Sequence, residues 1–384
     1  MKWEKVKIKE ICTGIYDGPH ATPPISSDGA IFLGITNFRN GRLDLSEIRY
    51  ISEADFPKWT KRVIPKENDI VFSYEATLNL YAIIPSGFRG CLGRRMALLR
   101  VNENKVYYKF LYYYFYSESW RRVIKTNTVL GATVDRIPLI KFPDFIVELP
   151  PLEMQYKIAN ILSSYDDLIE NNQKQIKLLE EAAQRLYKEW FVDLRFPGYE
   201  KTPIIDGVPE GWSFQKIGKV FEIKYGKTLS MNNILNKGKY PVYGANGVIG
   251  YYNQKNCDDY VVLVTSRGNG SGEVLRTHDK ESFITNNSFI IKPIKNFIKV
   301  PFIYQMLKTV DFKRICTGSA QPQLTNVSIN LIDILVPSDE IIKRFCQDSQ
   351  FYYNKIENLL KQNKNLKEAR ERLLPKLMDD ELEV

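Results

Sequence analysis

Few residue patterns in this chain could carry out covalent chemistry. The glycine-rich stretch 268–272 resembles a loop that cradles phosphate, but Glu273 stands where the G-x-G-x-x-G pattern needs glycine, and no G-x-x-x-x-G-K-[ST] sequence occurs. Asp144 and Glu148 have part of the spacing of a nuclease metal site, yet Pro150 stands where that site needs lysine. No Asn-Pro-Pro-aromatic methyltransferase motif is present. These patterns argue against a catalytic chain, and we interpret Asp144 and Glu148 as the entry to a strand.

The cysteines and histidines do not form a metal-binding or disulfide pattern. The five cysteines (Cys12, Cys91, Cys257, Cys316 and Cys346) include no Cys-x-x-Cys, and the only histidines are His20 and His278. Zinc sites and disulfide frameworks are therefore disfavoured. A cysteine nucleophile paired with either histidine stays open, but no local signature supports it. We expect structural thiols.

Polar residues in glycine-rich loops offer a different chemistry, the recognition of bases and phosphates. Arginine can donate to guanine, asparagine and glutamine can pair with adenine, and lysine on a phosphate sets position only. The net charge of +9 is concentrated as +6 in residues 1–151 and +7 in residues 201–337, whereas 152–200 and 338–384 are mildly acidic. This distribution indicates two modules that touch a polyanion. The candidate contacts are Arg39, Arg62, Arg94, Arg95 and Arg136 in the first module, and Lys227, Asn246, Lys255, Arg267, Asn269, Ser271 and Gln321 in the second.

Two long helices are predicted to hold these modules. The stretch 152–191 has apolar residues at alternating steps of four and three, the a/d pattern of a coiled coil, interrupted by Asn172. Shifting the sequence by 187 residues matches many positions of this stretch, polar ones included, with the C-terminal region. Two copies of one helix are therefore predicted. Amphipathic helices that merely cap two globular domains are the simpler alternative, but core packing alone would not preserve the polar face.

The modules are also related to each other. Trp3, Lys7, Ile8 and Ile11 match Trp212, Lys216, Ile217 and Val220 at an offset of 209, so the first module is longer by 22 residues, and such insertions fall in loops. Both modules have short β-like runs between glycine, proline and asparagine, with a hairpin signal at Asn246-Gly247 and a helix-length aromatic segment at 107–122. The predicted domains are 1–151, a central helix 152–196, 197–337 with its entry linker, and a C-terminal helix 338–384.

Composition favours an ordinary globular chain of two or three domains. Hydrophobic residues make up 44% of the 384 residues, and the mean hydropathy is −0.30. No apolar run approaches the ~20 residues that span a bilayer, and the start of the chain has no signal-peptide core. We therefore expect a cytoplasmic protein without membrane contact.

The order of module, helix, module and helix resembles the DNA specificity subunit of type I restriction-modification systems. The segment Pro-Pro-Leu-Glu-Met-Gln-Tyr-Lys-Ile-Ala-Asn-Ile-Leu (150–162) carries this resemblance, and Tyr240-Pro-Val-Tyr-Gly-Ala-Asn-Gly247 and Gly318-Ser-Ala-Gln321 are similar to segments of that family's target recognition domains. The resemblance covers nearly the whole chain. The second copy, Pro337-Ser-Asp-Glu-Ile-Ile342, departs from it because it lacks the second proline and the glutamine. Partner contacts made there can therefore differ.

The resemblance implies both a fold and a set of partners. The fold would be α/β (α+β), with two duplicated β-rich target recognition domains separated by a long antiparallel two-helix coiled coil and related by a pseudo-twofold axis. The partners would be double-stranded DNA, two methyltransferase subunits and the restriction/translocase subunits. This chain would bind no cofactor itself, since S-adenosylmethionine, ATP and Mg²⁺ would sit on the partner subunits. It would be non-catalytic and would read a bipartite DNA sequence.

Two other classes of function remain as alternatives. One is a free-standing DNA nuclease or methyltransferase with a divergent active site, which metal-dependent cleavage by the isolated chain would support. The other is a coiled-coil adaptor without DNA affinity, which the positive charge of both modules argues against.

The register of the helical pair follows from its two asparagines. A buried amide is costly unless it meets a partner, so Asn172 should face Asn363 in an antiparallel pair. That choice sets Ile158 against Leu377, Leu162 against Leu373, Ile169 against Leu366, Ile176 against Leu359, Leu179 against Ile356 and Trp190 against Phe345, with Leu186 also in the seam and Ala183 opposite Tyr352. Sliding the pair by one heptad would leave both amides unpaired, at about 1–3 kcal/mol each.

A helix that acts as a ruler makes a length prediction. Each helical residue adds ~1.5 Å and each base pair ~3.4 Å, so four residues inserted near the middle of the first helix add about 6 Å, or roughly two base pairs of spacer. We expect the methylation motif of the insertion variant to show this longer spacer when the methylome of its host is sequenced. Unchanged spacing would show that the length of this helix does not set the spacer.

Overall fold

The chain forms two compact units in a computed structural model, which describes residues 3–131, 134–268, 270–318 and 322–378. Unit 1 comprises residues 1–169 with 364–384, and unit 2 comprises residues 170–363. Each unit therefore contains one β-rich module and a part of both long helices. These units are groups of packed residues, and the domain limits given above stay predictions.

Unit 1 is built from short strands and a few helices. Its strands are β1 (Glu4–Lys7), β2 (Cys12–Asp17), β3 (Ala30–Leu33), β4 (Phe38–Arg39), β5 (Arg42–Leu43), β6 (Arg49–Ile51), β7 (Ile70–Ser73), β8 (Tyr81–Ile83), β9 (Gly90–Leu92), β10 (Met96–Val101) and β11 (Ile146–Leu149). Its short helices are α1 (Ile8–Ile11), α2 (Phe56–Trp59), α3 (Tyr108–Tyr114) and α4 (Glu118–Asn127), and the long helix α5 (Leu152–Phe191) follows.

Unit 2 is built from a similar set of elements. Its strands are β12 (Ile204–Ile205), β13 (Val208–Pro209), β14 (Ser213–Lys216), β15 (Phe221–Tyr225), β16 (Tyr240–Gly244), β17 (Gly247–Tyr252), β18 (Val262–Thr265), β19 (Val274–Arg276), β20 (Phe283–Ile284), β21 (Ser288–Pro293) and β22 (Asp333–Val336). Its helices are α6 (Ile217–Val220), α7 (Val300–Lys308) and α8 (Asn326–Asn330), and the long helix α9 (Asp339–Met378) closes the described chain.

The sheets of the two units have the same topology. The four-stranded sheet β2-β10-β7-β8 of unit 1 corresponds to β15-β21-β18-β19 of unit 2, and β6-β3-β9 corresponds to β17-β16-β20, with one parallel pair in each. The first and last strands of each module pair as well, β1 with β11 and β14 with β22. The duplication inferred from the sequence is thus confirmed at the level of strand order.

The extra residues of the first module lie mainly at one place. The offset between equivalent residues falls from 209 at Trp3 and Trp212 to 192 at Ile70 and Val262, where β7 and β18 begin. The segment between β3 and β7 contains β4, β5 and α2, which have no counterpart between β16 and β18 in the described chain. The inserted elements pack against the strands of unit 1, since Phe56 and Trp59 of α2 share a core with Phe32 of β3.

The aromatic segment 107–122 differs from its prediction as one helix. It forms α3 and α4, because Ser117 takes an extended backbone and its hydroxyl accepts from the Trp120 N–H, which starts a new helix. The aromatics nevertheless fill the core as expected, and Phe110, Phe115 and Trp120 are fully buried. The hairpin prediction is confirmed: β16 and β17 pair antiparallel, and Gly247 has a φ of +98° in the turn.

The two long helices run antiparallel within each unit. In unit 2, the ring centroids of Trp190, near the end of α5, and Phe345, near the start of α9, lie 5.7 Å apart. Asn172, closer to the start of α5, contacts Asn363, closer to the end of α9. In unit 1, Ile158 and Leu162 of α5 share a core with Leu377 of α9. Seam residues Ile169, Ile356 and Leu359 are also buried, whereas Ile176, Leu179, Leu186, Leu366 and Leu373 are partly buried.

The two asparagines pair as the register requires. The Asn172 Nδ2 donates to Asn363 Oδ1 at 2.9 Å, and both side chains are buried. A second acceptor, Gln362 Oε1, lies at 3.5 Å. The predicted contact between Asn172 and Asn363 is therefore present.

In the part of the chain that is described, no helix is long and apolar enough to cross a bilayer.

The asparagine pair makes a stability prediction. Asn363→Leu removes the acceptor of the buried Asn172 amide and should cost about 1–3 kcal/mol of unfolding free energy. The double variant Asn172→Leu with Asn363→Leu removes both polar groups and should recover most of that loss. Urea titration of both variants measures the difference. If the double variant were no more stable than Asn363→Leu, the amide pair would not be the cause.

Candidate nucleic-acid interface

The central strands of unit 1 end at an edge where three chain segments meet. Tyr74, just after β7, donates its N–H to the carbonyl of Arg95, just before β10, at 3.0 Å. The Tyr74 carbonyl accepts from the Ile137 N–H at 2.7 Å. Glu75 and Arg136 lie opposite each other in an isolated antiparallel bridge. These backbone hydrogen bonds fix the loop after β7, the turn before β10 and the end of segment 129–137 together.

This edge carries three of the arginines predicted from the sequence. Arg94 and Arg136 are exposed, and Arg95 is half-buried with a φ of +67°, its Nε 3.1 Å from Glu75 Oε1. Arg94 has no carboxylate within ion-pair distance among the described residues. Burial, together with the Asp17 and Glu75 carboxylates, raises the pKa of Tyr74, so this phenol stays neutral between the charged groups. We call Tyr74, Glu75, Arg94, Arg95 and Arg136 the first reading edge.

Arg62 lies beside this edge. Its Nη1 donates to the Gly18 carbonyl at 3.1 Å and lies 2.5 Å from Asp17 Oδ1. The Gly18 N–H donates to the carbonyl of Met96, at the start of β10, at 2.7 Å, which places Arg62 beside this edge. The ion pair with Asp17 partly neutralises it, so Arg94 is the less compensated cation.

Arg39 is held elsewhere, in the β4–β5 hairpin. Its Nη1 donates to Asp44 Oδ2 at 2.9 Å. Hydrogen bonds from Ser46, followed by the one from Arg39, lower the pKa of Asp44 to about 2. The structure shows no contact between Arg39 and the first reading edge among the described residues.

Unit 2 repeats the same backbone contacts. Ser266, just after β18, donates its N–H to the Asn287 carbonyl at 2.8 Å, and its own carbonyl accepts from the Leu324 N–H at 2.9 Å. Arg267 and Gln323 form an isolated bridge, as Glu75 and Arg136 do in unit 1. We call Ser266, Arg267, Asn286, Asn287 and Gln323 the second reading edge. Arg267 is exposed and has no carboxylate within ion-pair distance among the described residues.

Two further predicted residues join the second reading edge. The Lys227 N–H donates to the Ile284 carbonyl at 2.9 Å, and the Lys227 carbonyl accepts from the Asn286 N–H at 3.1 Å. The Lys227 side chain is exposed. Asn246 is exposed in the β16–β17 turn, and a methyl group on Gly270 would lie 2.9 Å from its Oδ1. Glycine at 270 thus lets the turn and the loop after β18 approach each other.

Two predicted residues of the second module have other surroundings, and two more lie outside the described residues. Ser271 is buried and its hydroxyl donates to the Pro322 carbonyl at 2.7 Å, so it supports the loop from inside. Lys255 lies between two carboxylates, and its hydrogen bonds to Asp258 and Glu281 raise its pKa. Asn269 and Gln321 lie outside the described residues. None of these contacts tests which side chains touch DNA, and all the contact residues stay predictions.

Sequence reasoning missed Asn286, Asn287 and Gln323. The signal was available, because the offset of 192 that relates β7 to β18 carries Arg94 and Arg95 onto Asn286 and Asn287. The offset of 187 likewise carries Arg136 onto Gln323. Amide side chains therefore occupy the positions at which the first module has arginines.

The patterns considered for catalysis have structural partners instead. Asp144 Oδ1 lies 2.8 Å from Lys9 Nζ and 3.1 Å from Lys7 Nζ, and hydrogen bonds from Lys9 and Lys7 lower the pKa of Asp144. Glu148 pairs with Lys5 at 3.3 Å. The loop 268–272 leads into strand β19 rather than a helix, so it lacks the helix N-terminus of a nucleotide-binding loop. Among the described residues, no cluster of three or more histidine, cysteine, aspartate or glutamate side chains could hold a metal ion.

A family model for the type I restriction modification DNA specificity domain matches residues 1–181 and 209–369. The two matches cover most of the chain, one for each module with its helix. The chain belongs to this family. A specificity subunit is the DNA-recognising, non-catalytic component of a type I system, so the free-standing nuclease or methyltransferase has no support. Such subunits bind DNA and act with methyltransferase and restriction subunits.

Individual relatives agree with the family assignment. The type I restriction enzyme MjaIX specificity subunit of Methanocaldococcus jannaschii is 26% identical, over 88% of this chain and 82% of its own length. The EcoprrI specificity subunit of Escherichia coli is 23% identical, over 78% and 74%. The crystal structure of the type I S subunit from M. genitalium has a TM-score of 0.62 at 21% identity and covers 98% of this chain and 96% of its own. That likeness shows the fold of this specificity subunit.

The second reading edge makes a prediction about salt. Each lysine or arginine contact with a phosphate contributes about −0.9 to the slope of log K against log salt. We expect Arg267→Ala to weaken binding of target duplex DNA and to make this slope shallower by about 0.9, because the Arg267 guanidinium is exposed and uncompensated. Fluorescence anisotropy at several salt concentrations measures it. Lys255→Ala is the control, with an unchanged slope expected since two carboxylates already neutralise that lysine; equal slopes for both variants would contradict the assignment.

Proposed function

We propose that this specificity subunit reads a bipartite sequence in double-stranded DNA, one half-site with each module. The observation that carries the proposal is the repeated reading edge: the same three backbone contacts recur in both units, with different side chains at the equivalent positions. Arginines dominate the first edge and amides the second. Because arginine suits guanine and the amides suit adenine, the two edges are built to read different bases.

The charge of the chain supports the same division of labour. The modules carry +6 and +7, whereas the helical segments 152–200 and 338–384 are mildly acidic. Contacts from lysine and arginine to phosphates supply the sequence-independent part of the affinity. The helices then serve as the spacer that holds the two modules at a set distance along the duplex.

The partners follow from the family in a more specific form. We propose that two methyltransferase subunits and the restriction/translocase subunits assemble on this chain, and that the complex works in the cytoplasm. S-adenosylmethionine, ATP and Mg²⁺ are assigned in this proposal to the partner subunits. The candidate interface needs only arginine, lysine and amide donors, which matches a subunit that recognises DNA and leaves the reactions to others.

Replacing one module tests independent reading. Residues 201–337 would be exchanged for the corresponding module of another family member, and the methylome of a host carrying the hybrid with its methyltransferase subunit would be sequenced. We expect one half-site of the methylated motif to change and the other to stay. The reciprocal exchange of residues 1–151 is the control and should change the opposite half-site. If both half-sites changed together, independent reading by the two modules would be wrong.

A further inference from the structure

In unit 1 a buried polar contact joins the recognition module to the long helices. The Tyr113 hydroxyl, on α3, donates to Asp166 Oδ2 on α5 at 2.6 Å. Arg370 of α9 donates from Nη1 to the other oxygen of the same carboxylate. Burial, strengthened by the neighbouring Asp166 carboxylate, raises the pKa of Tyr113, so the phenol keeps its proton and remains the donor. One carboxylate thus ties three elements together.

Unit 2 has a different polar contact at the same place. Gln305, on α7, donates from Nε2 to the Tyr353 hydroxyl on α9 at 3.1 Å, and both side chains are buried. The Arg276 guanidinium, from β19, lies 4.9 Å from the centre of the Tyr353 ring and donates to Glu357 Oε1 at 2.5 Å, one helical turn further along α9. The arginine here comes from the module, whereas Arg370 in unit 1 comes from a helix.

The two contacts occupy equivalent positions of the duplication. The offset of 192, which relates α3 to α7, carries Tyr113 onto Gln305. The offset of 187, which relates the two long helices, carries Asp166 onto Tyr353. The position of the contact between module and helix is therefore the same in both units, whereas its chemistry differs. In unit 1 a phenol donates to a carboxylate, and in unit 2 an amide donates to a phenol.

We propose that Asp166 and Tyr353 are positioning residues that hold each recognition module in one orientation on its helix, and that the contacts of Tyr113 with Asp166 and of Gln305 with Tyr353 set the spacer between the half-sites. The proposal rests on bipartite reading as proposed above. None of these four residues belongs to a reading edge. They act through the core of the module: α3 and α7 begin shortly after β10 and β21, whose first residues adjoin the reading edges.

The apolar core transmits the position of α3 to the rest of the module. Phe110 and Leu111 of α3 share one core with Ile70 and Phe72 of β7 and with Ile158 of α5, so a shift of α3 relative to α5 moves the whole sheet and its edge. One base pair corresponds to ~3.4 Å along the duplex, which a displacement by less than one helical turn supplies. Loss of a single docking hydrogen bond can therefore change the spacing without altering the bases that are read.

The test uses the full chain with its methyltransferase subunit and reads the methylome. Tyr113→Phe and Tyr353→Phe each remove one docking hydroxyl and keep the ring. We expect sites with the native half-sites one base pair closer or farther apart to become methylated, with about a tenfold loss of discrimination against them for Tyr113→Phe, because its hydrogen bond goes to a charged acceptor. Both half-sites themselves should stay unchanged.

Matched controls remove a hydroxyl whose hydrogen bond lies within a module. Tyr116 donates to the Tyr81 carbonyl at 2.9 Å, and the Tyr243 hydroxyl accepts from the His278 N–H at 2.8 Å. Tyr116→Phe and Tyr243→Phe should lower the melting temperature to a similar degree while the spacing stays native. Broadened spacing in these controls as well would overturn the proposal. So would native spacing in both docking variants, or a uniform loss of methylation with the spacing kept.

Exchanging the chemistry between units gives a second arm. Asp166→Tyr alone should broaden the spacing, since it takes the acceptor from Tyr113. Adding Tyr113→Gln creates the pair found in unit 2, and the introduced tyrosine ring also offers a face to Arg370, so discrimination should recover. A double variant no better than Asp166→Tyr contradicts the matched-pair part of the proposal. If the unaltered chain gave a motif that is not bipartite, the proposed function itself would fail, which distinguishes the two failures.

Discussion

The hydrogen bond between Asn172 and Asn363 is the constraint on which the pairing of the helices in unit 2 depends. The surrounding seam is apolar, and apolar layers tolerate several registers at similar energy, whereas a buried amide is stable only where it finds a partner. The asparagines are not repeats of each other: the offset of 187 carries Asn172 onto Leu359, and Ile176 onto Asn363. A pair of two identical copies of α5 would therefore oppose asparagine to isoleucine. The amide pair thus favours α9 over a second α5 as the partner of α5.

A similar asymmetry appears at the two equivalent polar contacts described above between a module and a long helix. Unit 1 uses a carboxylate on α5 with an arginine from α9, and unit 2 uses a phenol on α9 with an arginine from the module. Removing one member of such a buried set leaves the others without partners, at a cost larger than the net value of the contact. Each unit therefore constrains its own polar residues as a group. This explains how two units of equal topology can diverge in chemistry without losing their packing.

Periodicity and internal repetition were enough to predict the long helices, the duplication, the hairpin at Asn246-Gly247 and the contact of Asn172 with Asn363. These features depend on patterns that recur along the chain. The break between α3 and α4 was missed because a single cap at Ser117 outweighs the run of aromatics around it. Asp166, Arg276 and Tyr353 were missed since their partners come from distant parts of the sequence and share no spacing with them. The ion pairs of Arg39 and Lys255 were likewise not predictable from the sequence, and only the structure shows that neighbouring carboxylates neutralise these two side chains.

The reading edges depend on the backbone, and this bears on how a specificity subunit can change its target. The contacts of Tyr74 with Arg95 and Ile137, and of Ser266 with Asn287 and Leu324, join N–H groups to carbonyls, which every residue except proline can supply in full. Side chains at these positions can therefore change without loss of the loop geometry. Arg94 and Asn286 illustrate this, because equivalent positions carry a guanidinium in one unit and an amide in the other. In the proposed function the side chain sets the base contact and the backbone sets its placement, so a substitution at the edge would alter which base is read while the path of the DNA stays the same.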